Sequence, residues 1–186
     1  RPAHFGRAAG EVPMNSNRNM LINTIKGKNT HCSGMGLGII LLDETYPGFP
    51  GDVRNPSAFP YPIQYQVAEG LDINKLVRSS KRDAFFDAIL KAAKNLEKMG
   101  CRAILAECGY FACFQKQMAA SIKLPVFMSS LLQVPWAQSM IAPHEVVGLL
   151  MSSKEDLRDD HLTNVGIHPE SNYVVGNVMD GGLCPE

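Results

Sequence analysis

The stretch that most narrows the fold is residues 103–133, AILAECGYFACFQKQMAASIKLPVFMSSLLQ. A short apolar run, Ala103-Ile104-Leu105-Ala106, stops at Glu107, Cys108 and Gly109. A segment of helical spacing follows, with Phe111, Phe114, Met118 and Ile122 on one stripe. A second apolar run, Val126-Phe127-Met128, stops at Ser129-Ser130. Strand, polar turn, helix, strand is the βαβ unit of a parallel sheet with right-handed crossovers. Ligand sites of open α/β sheets lie beyond the carboxyl ends of the strands. Cys108 and Ser129-Ser130 occupy two such ends and define a candidate cleft.

The remaining chain follows the same grammar. Leu37–Leu42 is almost continuously apolar, as in a strand buried on both faces, and ends at Asp43-Glu44. Five prolines in residues 46–62 forbid regular structure. This stiff, aromatic loop reads either as the wall or lid of a site or as cover for a sheet edge. Residues 63–67 alternate apolar and polar, the mark of a half-buried edge strand. Ser80 with Asp83 suggests a capping box for a helix carrying Phe85, Ile89, Ala92, Ala93, Leu96 and Met99, which Gly100 closes. Residues 131–140 read as a third helix with Pro135 in its first turn. Residues 146–151 read as another buried strand ending at Ser152-Ser153, residues 154–162 as a short polar helix, and residues 173–176 as a last strand. The expected class is α/β with a mostly parallel, flavodoxin- or Rossmann-like sheet. No internal repeat stands out.

The 186 residues carry 18 basic and 18 acidic side chains, and 45% are apolar. That suits one globular domain, or one and a half small ones. Zero net charge argues against a nucleic-acid or membrane-surface partner. No apolar run nears the roughly 20 residues of a membrane span. The five cysteines, Cys32, Cys101, Cys108, Cys113 and Cys184, form no CxxC pair, so neither a disulfide framework nor a zinc site is suggested. Reduced thiols point to a cytoplasmic setting. His144, His161 and His168 lie at no ligand spacing and read as solvated, so no metal is expected. The chain begins at Arg1, as a cut or processed polypeptide would, and residues 1–35 read as a flexible N-terminal tail.

A thiol at a strand's carboxyl end, followed by glycine and a helix, sits near a helix N-terminus, where partial positive charge favours thiolate. Gly109 admits close backbone approach, and amides of that turn suit a carboxylate or a developing oxyanion. Cys108 therefore reads as a base or nucleophile beside an anion hole, or else as a buried structural cysteine. Glu107 either faces the site or pairs with a basic group. Ser129 and Ser130 read as anion ligands or as an ordinary N-cap. Asp43 reads as a partner for a substrate ammonium or as the cap of the next turn. Cys101 and Cys113 read as packing residues.

Taken together, Gly38-Ile39-Ile40-Leu41-Leu42-Asp43, the loop Tyr46-Pro47…Pro50-Gly51-Asp52…Asn55-Pro56…Phe59-Pro60, Cys108-Gly109-Tyr110…Phe114-Gln115 and Ser129-Ser130-Leu131-Leu132-Gln133-Val134-Pro135 resemble the aspartate/glutamate/hydantoin racemase superfamily. The resemblance spans roughly residues 36–176. It implies two similar α/β lobes: residues 36–143 as the first, bearing Cys108, and residues 144–186 as part of the second. It implies racemisation or epimerisation of an amino acid or related carboxylic acid, with one thiolate removing the α-proton and a thiol on the opposite face returning one. No metal or pyridoxal phosphate is used, and a homo-oligomer is allowed. Cys108 would be the first-lobe base; amides near Gly109, with Ser129 and Ser130, would hold the substrate carboxylate, and Asp43 and Tyr110 complete the candidate substrate-binding residues. The family's usual Cys-Asn-Thr is Cys-Gly-Tyr here. The second-lobe cysteine is expected beyond residue 186, since Cys184 has no strand before it and no helix after it. Dimethylsulfoniopropionate lyases resemble the same superfamily and share a Tyr-Pro…Pro-Gly-Asp loop and a Cys-Gly-Phe turn followed by Phe-Gln. There one thiolate removes a proton and the substrate eliminates. Arylmalonate decarboxylases carry Gly at the Cys108 position and fit less well. A non-catalytic lobe that binds a small anion is the remaining alternative.

Overall fold

The computed structural model describes His31 and residues 36–178. The expected N-terminal tail, His31 apart, and Cys184 lie outside the described residues. Strands and short helices alternate along the chain: β1 (Leu37–Leu42), β2 (Ile63–Ala68), α1 (Ile73–Arg78), α2 (Phe86–Lys98), β3 (Ala103–Ala106), α3 (Gln115–Ser121), β4 (Val126–Phe127), α4 (Val134–Gln138), β5 (Val147–Met151), α5 (Asp159–Thr163) and β6 (Tyr173–Asn177). Four strands form one parallel sheet in the order β2-β1-β3-β4, and β5 and β6 form a separate two-stranded parallel sheet. The class is α/β with a parallel sheet, as the alternation predicts.

The apolar run of β1 lies at the centre of the larger sheet. Ile39, Ile40 and Leu42 are buried, in keeping with a strand covered on both faces. β2 is half-buried and at the edge, as its alternation predicts. Helix α2 lays Phe86, Ile89, Ala92, Ala93 and Leu96 against β1 and β2. The close approach depends on Gly38, where a Cβ would lie 2.9 Å from both Leu96 methyl carbons. The helix ends at Gly100, whose φ of +88° is costly for residues with a Cβ.

Several local expectations are corrected. The capping box at Ser80 and Asp83 is not formed. A 3-10 turn, Arg82–Phe85, precedes α2 instead, and the hydroxyl of Ser79 accepts from the Lys81 amide at 3.1 Å. Helix α1 was not anticipated. Its signal was Asp72, whose carboxylate caps the Lys75 amide at 2.9 Å ahead of buried Leu76 and Val77. The third helix is shorter than residues 131–140: a 3-10 turn, Ser130–Gln133, leads into α4, with Pro135 in its first turn. The polar helix of residues 154–162 is broken at Leu157, which is extended and packs against the core, leaving a 3-10 turn before it and α5 after it. β5 buries Leu149 and Met151 but exposes Leu150, at 74%, because no described element covers that face of the small sheet.

The two sheets share one apolar core, which includes Leu149, Met151 and Leu162, and Tyr110 adds a polar link between them. Its hydroxyl donates to the Ser153 carbonyl at 2.6 Å and accepts from the Ser153 amide at 3.2 Å, beyond the end of β5. His161 on α5 packs edge-on against the Tyr110 ring, with centroids 5.4 Å apart. His161 is fully buried, not solvated as its polar neighbours suggested. Its Nδ1 accepts from the Arg158 amide at 2.9 Å, inside the helix's first turn. His144 and His168 are exposed, as expected.

Candidate functional site

The candidate site gathers three neighbouring strand ends: Asp43 after β1, Glu107-Cys108-Gly109 after β3 and Ser129-Ser130 beyond β4. β4 is placed by Gln115, whose buried side chain substitutes for a neighbouring strand. Its amide nitrogen donates to the Val126 carbonyl at 3.0 Å, and its oxygen accepts from the Met128 amide at 2.9 Å. Ser129 follows directly. A Cβ on Gly109 would lie 3.7 Å from its Oγ, so the Cys108 turn and Ser129 share one corner.

The side chains of that corner divide in their roles. Cys108 is half-buried and opens a 3-10 turn, Gly109–Phe114, rather than an α-helix. Burial pushes its thiol up from an ordinary value near 9 to about 11; the Tyr110 main-chain amide opposes this, and the Glu107 and Glu44 carboxylates add to it. The expected lowering by a helix start is therefore reversed: one amide does not offset desolvation and two acids. Ser129 is buried, and its Oγ accepts from the Leu131 amide at 3.1 Å, the ordinary N-cap of the two readings. Ser130 is exposed. Asp43 is exposed and accepts from the Gly70 amide at 2.7 Å, which ties the end of β1 to the turn after β2. Tyr110 is buried in the bond to Ser153 described above. Cys101 is buried, and Cys113 packs against the core with its thiol 3.3 Å from the Tyr110 carbonyl.

Glu107 pairs with a basic group, Arg54, which sequence reasoning missed. The guanidinium grips the carboxylate with both Nε and Nη2, the latter at 3.0 Å. The same guanidinium donates to the Leu42 carbonyl at 2.7 Å and to the Glu44 carbonyl at 2.6 Å. Glu107 also accepts from the Leu42 amide. The guanidinium stacks 4.4 Å from the centroid of Tyr46, whose ring is half-exposed. Tyr65 on β2 adds a further tie to the loop through the Val53 carbonyl at 2.7 Å. The proline-rich loop is thus a fixed wall over the ends of β1 and β3. The available signal was that Arg54 is the one cation in residues 43–62, among Asp43, Glu44 and Asp52.

A cleft of about 290 Å³ opens beside this corner, between the 3-10 turn with α4 and the length of β5. Ser130, Val134, Ala137 and Val147–Met151 line it. Among the described residues no three His, Cys, Asp or Glu side chains cluster as metal ligands, and no helix is long and apolar enough to cross a membrane.

Comparison with known proteins adds a second line. The chain is 33% identical over 153 residues to dimethylsulfoniopropionate lyase 7 of Emiliania huxleyi, covering 80% of this chain and 45% of that protein. It is 34% identical over 122 residues to dimethylsulfoniopropionate lyase 3 of the same organism, covering 66% and 32%. It is 31% identical over 139 residues to a dimethylsulfoniopropionate lyase of Durusdinium sp. clade D, covering 74% and 46%. The chain spans less than half the length of these curated relatives. No family model matches it. A solved structure of an aspartate racemase homologue from Pyrococcus horikoshii OT3 aligns at 15% identity and a TM-score of 0.45, over 78% of this chain and 66% of that one.

Proposed function

We propose that this chain carries the proton-abstracting cysteine of a dimethylsulfoniopropionate lyase-type elimination. Cys108 takes the proton α to the carboxylate, the electron pair forms the C=C bond, and the C–S bond breaks. Dimethyl sulfide leaves with that bond's electrons, and acrylate and the proton on sulfur remain. The observation that supports this reading best is a Cys108-Gly109 turn packed beside Ser129 at adjacent strand ends, in a chain about a third identical to proteins bearing that lyase name. Elimination asks for one base, whereas racemisation asks for a base and an acid on opposite faces. A thiol held near 11 is protonated at rest. A sulfonium cation seated beside it would offset Glu44 and Glu107 and favour thiolate where substrate is bound. The unit β5-α5-β6 is then the start of a second lobe, with the carboxylate held near Gly109, Ser129 and Ser130.

The test is incubation with dimethylsulfoniopropionate in deuterium oxide, following dimethyl sulfide by gas chromatography and acrylate by NMR. Aspartate, glutamate and a hydantoin are run in parallel for α-proton exchange. Release of dimethyl sulfide that is lost in Cys108→Ala supports the reading. Exchange with inversion of an amino acid, and no sulfide, would overturn it in favour of racemisation.

A further inference from the structure

We propose that Arg54 is a positioning residue for Cys108: its fork on Glu107 offsets part of the charge of the carboxylate adjoining the thiol and locks the proline-rich loop onto the ends of β1 and β3. The inference deepens the functional reading above and rests on Cys108 being the proton-transfer group. Three observations carry it. Glu107 directly precedes Cys108, and its side chain is only 3% exposed, so its charge is poorly screened by water. Arg54 supplies the geometry that a buried carboxylate requires, two N–H groups onto two oxygens. The remaining donors reach the Leu42 and Glu44 carbonyls, and the guanidinium plane lies on Tyr46, so one side chain sets both the local charge and the wall.

The charged and titratable groups acting on the thiol are Glu107 after β3, Glu44 after β1 and Cys113 in the following turn; Tyr46 faces it from the loop, and Arg54 is held on Glu107 and Tyr46. With Arg54 neutral, Glu107 and Glu44 act on the thiol uncompensated, and thiolate becomes harder to form. With Glu107 neutral, an uncompensated guanidinium favours thiolate. Removing both charges returns the balance towards the starting point. Loss of packing alone has no such sign pattern.

The experiment is the pH dependence of iodoacetamide alkylation of Cys108, read by peptide mass spectrometry on the full chain. It compares the unmodified protein with Arg54→Gln, Arg54→Lys, Glu107→Gln and the Arg54→Gln/Glu107→Gln double variant, each checked by circular dichroism. Arg54→Gln is expected to move the profile up by about one pH unit, tenfold slower labelling at fixed pH. Glu107→Gln moves it down, and the double variant falls between the two. Arg54→Lys is expected to restore the profile but not the wall, seen as faster amide exchange in residues 45–62. An unmoved profile in Arg54→Gln, or shifts of the same sign in both single variants, overturns the proposal. If Arg54→Gln does not fold, the double variant against Glu107→Gln decides: a double-variant profile above that of Glu107→Gln supports the proposal, and one at or below it overturns it. Labelling needs no turnover. Shifted profiles without dimethyl sulfide release would therefore sink only the lyase reading, and sulfide release with unmoved profiles would sink only this one.

Discussion

At the scale of single residues the proposed chemistry turns on one sulfur and its neighbours. Burial, reinforced by Glu107 and Glu44, holds the Cys108 thiol at about 11, so its labelling rate is expected to keep climbing well past pH 9. A plateau at or below pH 9 would contradict that environment. The same shift sets a stability slope. Because the folded state holds this proton more tightly than the unfolded chain, the contribution is complete below about 9 and is lost as pH rises through about 11. Urea unfolding across that window is expected to show a decline that Cys108→Ala flattens. In the proposed elimination, Cys108→Ala is expected to cost about 10²- to 10⁴-fold in dimethyl sulfide release, the usual worth of a positioned base.

At the scale of elements, two residues decide whether strand and helix meet correctly. Gln115 substitutes for a missing strand neighbour, bonding Val126 and Met128 on either side of Phe127. Gln115→Leu keeps the bulk but strands a buried amide and carbonyl. It is expected to lower unfolding free energy by about 1–3 kcal/mol and to speed amide exchange at Met128. Gly38 lets α2 seat Leu96 on β1. Gly38→Ala places carbon 2.9 Å from that side chain, with an expected cost of about 1–3 kcal/mol. A double-mutant cycle with Leu96→Val should recover part of the loss, and strict additivity would argue against the contact.

At the scale of the whole molecule, polar contacts of Tyr110 and Arg158 link the two sheets. Tyr110 bridges to Ser153, and Arg158 on the small-sheet side donates to the Val77 carbonyl of α1 at 2.5 Å. Tyr110→Phe is expected to cost about 1–2 kcal/mol by leaving the Ser153 main chain unmet. Amide exchange should rise in β5 and β6 more than in β1. Equal acceleration in both sheets would mean the bridge does not separate them.

The central sheet was legible because burial on both faces leaves an apolar run, and β1 and β3 carry such runs; β2 announced its edge position by alternation. The strand ends at Asp43, Cys108 and Ser129 could be located for the same reason. Helix α1 escaped because six residues give too little periodicity, and His161 was misplaced because its partners are a main-chain amide and a distant tyrosine ring. Local pattern records which residues leave water. It does not record which charges face each other across space. Arg54 meets Glu107 over 53 positions of chain, and the loop that delivers it has no period to read. The sequence alone determined the parallel α/β plan and the placing of a cysteine at a strand end. The protonation of that cysteine, the stiffness of its wall and the joint between the sheets were decided only in three dimensions, because electrostatic and hydrogen-bond energies depend on distance through space, not along the chain.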